Sequence, residues 1–427
     1  MRHTEDMPGF FPTGVKPPLV AAAVVAAAFS SLFSVAPTPV ASAVESRIAG
    51  RCEGSSDPTL FSNNRRLVIT ARGRLLALYD PHGAGQQLVW RDPGGRWHRR
   101  TRGSVSDGFL PGSGRRDSAD RPSSIAVARD GRGRQSAWVV TSGASFGTKN
   151  GAGVRLRRLT GLNNPDGPRV GPAIRVQRGQ GARADLAFER GRNGRMRGVI
   201  AWLRRTDKGT FRLRTVWFTN LASNRPRIKA RRTIFRSTAG SSTATLAPTA
   251  RGMRIVATTG SSRLRLFKHR AGSSLRRWVK GRATFAVRAR SKPSAVALPS
   301  GRVLAAADAR VRGRRGVKVV RFSRSGDRVK GVMWRRGLLR PVLSTRRAGS
   351  ARLVALRRKR SVIVSRAFRP GSGWGRLRGE TRVRGALAPV APNVPRYATR
   401  RLRILVSSAA CPGPLNANGV VLYERRL

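Results

Sequence analysis

A sharp glycine turn followed by a large apolar residue comes back again and again along this chain. Asp92-Pro93-Gly94-Gly95-Arg96-Trp97 has the form D-x-G-x-x-W, and Arg369-Pro370-Gly371-Ser372-Gly373-Trp374 repeats it with Arg in place of Asp. Between them lie Asp207-Lys208-Gly209-Thr210-Phe211, one residue shorter, and two turns built on Gly272 and Gly326. From Asp207 onward the interval is roughly 45 to 63 residues, the range of stacked or radial repeat architectures.

Each turn belongs to a larger unit. Short apolar runs such as Leu67-Val68-Ile69, Ile125-Ala126-Val127, Leu186-Ala187-Phe188, Leu246-Ala247, Val296-Ala297-Leu298 and Leu353-Val354-Ala355 are read as first strands. Second runs follow at Leu75, Trp138, Val199, Ile255, Val303, Val362 and Ile404. Third runs alternate apolar and basic residues, as in Val154-Arg155-Leu156-Arg157 and Phe211-Arg212-Leu213-Arg214. Period two with one basic face marks a half-buried strand, whereas the more continuous runs predict strands covered on both faces.

No amphipathic helix interrupts the pattern, so the expected fold is all-β. Four-stranded antiparallel units arranged about an axis make a β-propeller, which leaves only short sheet edges. Seven second runs predict seven blades; six remains the alternative, because the last unit is compressed and its first strand, near Leu387-Ala388, is poorly marked. The final run, Gly419 to Arg425, matches a third strand with none after it, so the stretch from Ser46 to Phe61 is expected to supply the outer strand and close the ring. The chain's two cysteines, Cys52 and Cys411, fall in that stretch and in the last inter-strand loop. In an exported protein they read as one disulfide, which a chain-entropy argument credits with up to about 5 kcal/mol.

Export is signalled at the N-terminus. Arg2 and Lys16 precede an uncharged, Ala-rich stretch from Pro17 to Val44, and Ala41-Ser42-Ala43 forms an A-x-A cleavage site. Pro37 and Pro39 break the apolar core and favour cleavage over retention as an anchor. The expected organisation is a signal peptide over residues 1–43, a closing strand over 44–61 and a propeller over 62–427, secreted or at the cell surface and monomeric.

Charge is the second constraint. Lys and Arg number 87 against 19 Asp and Glu, a net +68, and only ten of the basic residues are Lys. Such a field draws polyanions with strong salt dependence. For an exported chain the candidates are anionic cell-wall polymers, acidic polysaccharide, lipid head groups or extracellular DNA. Basic residues are spread along every unit, however, and Arg, Ala and Gly enrichment together also fits a nucleotide-composition bias. Sequence-specific nucleic-acid recognition finds no motif.

The turns resemble degenerate Asp-boxes, the S/T-x-D-x-G-x-x-W (BNR) repeats between third and fourth strands of sialidase-like β-propellers. Asp92, Gly94 and Trp97 give the best match, although Trp90 stands where Ser or Thr is usual; Asp207, Gly209 and Phe211, then Gly272, Gly326, Gly371 and Trp374, keep parts of it. The resemblance implies structural turns, with Asp accepting backbone N–H bonds and Gly supplying positive φ. It also implies a search for three carboxylate-clamping Arg, a Tyr–Glu nucleophilic pair and an Asp acid/base. The F/Y-R-I-P element is absent, and Arg47-Ile48-Ala49-Gly50 does not replace it. Tyr397 is the candidate nucleophile, and Asp185 and Glu189 are candidate carboxylates on an inner strand, where ordinary pairing with Arg is the competing reading. Asp130, before Gly131, reads as a hairpin residue.

His82, His98 and His269 show no ligand spacing, so neither a metal nor a cofactor is expected. Two function classes follow. The favoured one is a non-catalytic binding or scaffold propeller for anionic polymers; the alternative is a sialidase-type glycoside hydrolase acting on acidic sugars.

Overall fold

A computed structural model of the chain describes residues 44–55, 65–79, 87–92, 94–99, 124–142, 153–179 and, short loop stretches excepted, 181–427. It is a seven-bladed β-propeller with no helix among those residues. Blade one comprises Leu67–Ile69, Leu75–Tyr79, Gln87–Arg91 and Trp97–Arg99. Blade two runs Ser124–Arg129, Gln135–Thr141 and Val154–Thr160, with its outer strand split into Arg169–Val170 and Ile174–Gln177. Blade three is Gly181–Arg190, Met196–Arg205, Phe211–Thr219 and Arg227–Ser237, and blade four Ala244–Thr249, Gly252–Thr259, Arg263–Lys268 and Val279–Ala286. Blade five is Ser294–Ala297, Val303–Val311, Arg314–Phe322 and Val329–Arg336, and blade six Leu338–Thr345, Ala351–Arg357, Val362–Arg369 and Gly373–Arg382. Blade seven holds Arg401–Ala410 and Ala417–Arg426, and the strand Val44–Ser55 pairs antiparallel with the latter.

The continuous apolar runs have a geometric cause. Successive side chains of a strand point to opposite faces, and here both faces are covered by neighbouring blades. Along the second strand of blade three, Val199, Ala201 and Leu203 pack toward blade four, while Ile200 and Trp202 pack toward blade two. In blade five, Val303, Ala305 and Ala307 meet blade four, while Leu304 and Ala306 meet blade six. Seven apolar clusters result, one at each junction, the seventh joining blade seven to blade one through Leu405, Val420, Leu67 and Leu75. Outer strands are wetter: Val329–Arg336 has no fully buried residue.

Several readings shift by one strand. Leu353-Val354-Ala355 belongs to the second strand of blade six and Val362 to its third, because Leu338–Thr345 is the first. Arg340 and Pro341 inside that first strand concealed it. The Gly209 turn joins the second and third strands of blade three, not the third and outer; Asp207 itself lies outside the described residues. The third-to-outer turns of blades two and three instead insert buried Leu162 and Leu221. At the Asp92 turn the Asp92 carboxylate accepts the Arg96 N–H at 2.9 Å, but Gly95, at φ 90°, and not Gly94, takes the left-handed conformation. Gly209, Gly272, Gly326 and Gly371 all have positive φ. The Asp130 carboxylate caps its own hairpin, accepting the Arg132 and Arg134 N–H groups. Leu387-Ala388 and residues 1–43 lie outside the described residues; a bridge from Asn393 to Leu405 stands on the inner side of blade seven. Cys411 is also outside them, while the backbone of Cys52 lies within Val44–Ser55.

Candidate functional site

The first strands of a propeller present a sheet edge to the axis, and buried backbone groups there need partners. Small polar side chains supply them, and they form an unbroken ring of inter-blade hydrogen bonds. The Arg65 N–H donates to Ser124 Oγ (3.1 Å), joining blades one and two, and Ser124 Oγ donates to Asp185 Oδ1 (3.0 Å) of blade three. The Leu246 N–H of blade four donates to Asp185 Oδ2 (2.7 Å). Thr243 Oγ1 donates to the Ser291 carbonyl (3.3 Å), and the Leu343 N–H of blade six to Ser294 Oγ (2.9 Å) of blade five. Ser344 Oγ donates to the Pro395 carbonyl (2.7 Å), and the Arg66 N–H to Asn393 Oδ1 (2.9 Å), which returns the ring to blade one.

Two guanidinium groups cross the ring. Arg65, fully buried, reaches Ser294 Oγ (3.1 Å) and the Ala295 carbonyl (3.3 Å) in blade five. Arg396 reaches the Leu246 carbonyl (2.7 Å) and the Asp185 carboxylate (3.3 Å to Oδ2). Burial, then repulsion from Arg396, push Arg65 down to about 9, with Asp185 and Tyr397 opposing; it stays charged at neutral pH. Tyr397 is 61% exposed, yet the protein around it raises its hydroxyl above the ordinary range by desolvation, against the pull of Arg396 and Arg65. Solvent reaches the ring while protein walls it in, as for a side chain in the axial mouth.

The structure thus brings Asp185 and Tyr397 to one place, with Arg65 and Arg396. It does not bring Glu189 there. Asp185 and Glu189 lie four residues apart on one strand, about 13 Å at the usual rise, beyond the separation of paired glycosidase carboxylates. Asp185 also has no idle lone pair: Oδ1 accepts from Ser124, the Leu186 N–H and Arg396, and Oδ2 from Leu246 and Arg396. It is a structural staple.

Glu189 anchors a second cluster, between blades three and four. Its Oε1 takes the Arg197 guanidinium (Nε at 2.6 Å) and faces His269 Nδ1 at 4.0 Å. Trp217 contacts His269 (4.6 Å between ring centroids), stacks on Trp278 and lies beneath Arg197. Burial raises Glu189 against the pull of Arg197 and Arg254. Burial lowers His269 to about 4, with Arg197 and Arg254 adding to the effect while the bond to the Ser274 carbonyl opposes it. Both side chains are closed to solvent. Of the other histidines, His98 pairs with Asp92 at 2.8 Å, and His82 lies outside the described residues. No group of three or more His, Cys, Asp or Glu among the described residues has metal-holding geometry.

Open concavity lies on the face carrying the first-to-second and third-to-outer turns. A depression of about 1610 Å³ spans blades two to four and is lined, among the described residues, by eight basic side chains, including Arg132, Arg190, Arg195 and Arg227, and by one acid, Asp130. A second, of about 930 Å³, carries Arg251, Arg270, Arg277 and Arg324 among its basic residues and, among the described residues, no acid. The two meet at Gly272 and Ser273.

Arg65, Arg396, Ser124 and Ser294 escaped the sequence reading. A signal existed: a small polar residue or Arg precedes the apolar core of a first strand in Arg66-Leu67, Ser124-Ile125, Asp185-Leu186, Thr245-Leu246 and Ser294-Ala295. The abundance of Arg hid the two braces.

No protein-family model matches the chain, and no match is found among curated proteins. Solved structures do match. The polysaccharide lyase Uly1 superposes with a TM-score of 0.53 at 9% identity, covering 85% of this chain and 90% of that one. The BP39L lectin from Burkholderia pseudomallei gives 0.51 at 10%, covering 86% and 92%. The microbial sialidase Hz136 gives 0.44 at 12%, covering 89% and 66%. At such identities the likeness is one of propeller fold.

Asp185→Asn places an amide donor against the Arg396 guanidinium or the Leu246 N–H, and unfolding in denaturant is expected to show about 3–5 kcal/mol lost; a loss below about 1 kcal/mol would remove Asp185 from the hub. His269 gives a pH signature. The unfolded chain binds its proton near 6.5 and the folded chain only near 4, so this group's contribution falls as pH drops through that window, by up to about 3 kcal/mol. Glu189, raised when folded, acts with the opposite sign as pH rises above its ordinary range. Stability measured from pH 7 to 4 is therefore expected to fall less steeply in His269→Phe than in the parent.

Proposed function

We propose that this chain is an exported, non-catalytic propeller that binds anionic polysaccharide of the cell envelope or extracellular matrix through its basic turn face. The observation that carries the reading is the pair of joined depressions whose described linings hold many cations and a single acid, one whose carboxylate is already engaged within its own hairpin. Cations in large excess over acids attract a polyanion and release its condensed counterions. Two fold neighbours with TM-scores above 0.5, a lectin and a polysaccharide lyase, supply precedent for propellers of this shape handling carbohydrate. The signal-peptide reading of residues 1–43 supports an extracellular site of action.

A second reading, a sialidase-type hydrolase, rests on Tyr397 standing exposed beside Arg396 and Arg65. Against it, the one carboxylate nearby, Asp185, is saturated with hydrogen bonds, and Glu189 is sealed in another cluster. Retention of the purified chain on a polyuronate resin, released by salt, with no fluorophore freed from a sialoside panel, is the expected result. Turnover that Tyr397→Phe abolishes would reverse the choice.

The same proposal includes a covalent pin on the ring. Ala410 and Gly54 both pair with Asn418, so the residue before Cys411 and the residue two after Cys52 share one rung on either side of one strand. Joined, the two cysteines tie the strand Val44–Ser55 to blade seven. Non-reducing peptide mapping is expected to recover a Cys52–Cys411 cross-link; two free thiols in the secreted protein would rule the pin out.

A further inference from the structure

Resting on that reading, we infer that the ligand is a linear polyanionic polysaccharide laid lengthwise across blades two to five, on a track formed by a repeated Gly-Arg turn. The first-to-second strand turns of five blades share one hydrogen-bond pattern. Gly73 donates to the Thr70 carbonyl while Thr70 donates to that of Arg74; the same pair of bonds recurs at Gly133, Gly194, Gly301 and Gly349. These five glycines have φ between 74° and 82°, a region costly for other residues. In blades one, two, three and five the next residue is Arg: Arg74, Arg134, Arg195 and Arg302. The glycine therefore fixes where an Arg leaves the backbone, at an equivalent place on successive blades. Blade four has a tighter turn, and exposed Arg251 precedes its glycine.

Third-to-outer turns fill the gaps on the same face, with Arg227 from blade three, Arg270 and Arg277 from blade four and Arg324 from blade five. Cations thus continue through both depressions across the Gly272–Ser273 junction. Among the described residues no aromatic side chain lines either depression. Recognition of one sugar ring by stacking, or of single-stranded nucleic acid on aromatic platforms, has no equipment here. No helix is present among the described residues to enter a duplex groove. What remains is charge in register along a path, which suits a long carboxylated or sulfated chain engaging several cations at once.

The test uses the full chain, immobilised polygalacturonate and a size ladder of oligogalacturonates as competitors. Affinity is expected to climb with oligomer length and then level off, with neutral dextran inert. Combining Arg195→Gln and Arg302→Gln of the Gly-Arg turns with Arg227→Gln and Arg277→Gln is expected to weaken binding by about tenfold or more and to lower the log–log salt slope by about three. An equal charge loss on the opposite face, Arg205→Gln, Lys208→Gln, Arg314→Gln and Arg315→Gln, is expected to change it less than about twofold, with thermal unfolding checked in both sets. Equal losses in the two sets would overturn the track while leaving polyanion binding intact. So would a short oligomer competing as well as a long one, or duplex DNA displacing the polymer at lower charge concentration. A parent protein that ignores polygalacturonate and every other anionic polymer would instead sink the underlying reading.

Discussion

The fold depends on how seven inner sheet edges are satisfied around one axis. Each first strand turns N–H and C=O groups toward its counterparts, where water is largely excluded and an orphaned polar group is costly. Ser124, Asp185, Ser294, Ser344 and Asn393 answer that need one blade at a time, while Arg65 and Arg396 tie across the ring. A satisfied network in a low dielectric is rigid and specific. It also consumes the groups that chemistry at the axis would require. Asp185 can hold four blades in register because both of its oxygens are fully engaged, and for the same reason neither oxygen is open to a substrate.

The other acids follow the same logic. Glu424 links blades seven and one through Arg91, while Arg403 adds a bond within its own blade; burial alone would raise it, but these two bonds hold it below its ordinary value. Glu380 of blade six accepts N–H bonds from Nε and Nη2 of Arg425 in blade seven, at 2.8 and 2.9 Å. Asp308 of blade five accepts the Arg340 N–H of blade six, and Asp327 of blade five that of Arg282 in blade four. Several of the chain's few carboxylates thus stand where sheets meet, and Asp130 and Asp327 on the turn face are engaged by backbone N–H groups, so cations outnumber acids there. Surface charge and blade packing are in this sense one design.

Much of this was legible beforehand. Repeated turns and runs gave a propeller of seven units, and the count survived a misassigned strand in blade six because one run per blade was still being counted. That misassignment had a physical cause: Leu338–Thr345 carries Arg340 and Pro341 inside it, and a first strand braced by side chains from its neighbours tolerates such residues. The Asp207 turn misled for a related reason, since a glycine and an apolar plug serve a second-to-third turn as well as a third-to-outer one. Tyr397 and Asp185 were singled out by type and scarcity, and they do meet. Arg65 and Arg396 were not, because identity carries no information when Arg is the commonest polar residue.

The one-dimensional pattern by itself determined that the chain forms repeated sheets, covered on both faces and strongly cationic, because alternation, turn chemistry and charge are local properties. Only the tertiary structure decided which residues face the axis, that Asp185 and Glu189 serve separate junctions, and that the Gly-Arg turns share one face. Those outcomes depend on how seven sheets rotate about a common centre, and the side chains that meet there are separated by up to 327 positions in the sequence.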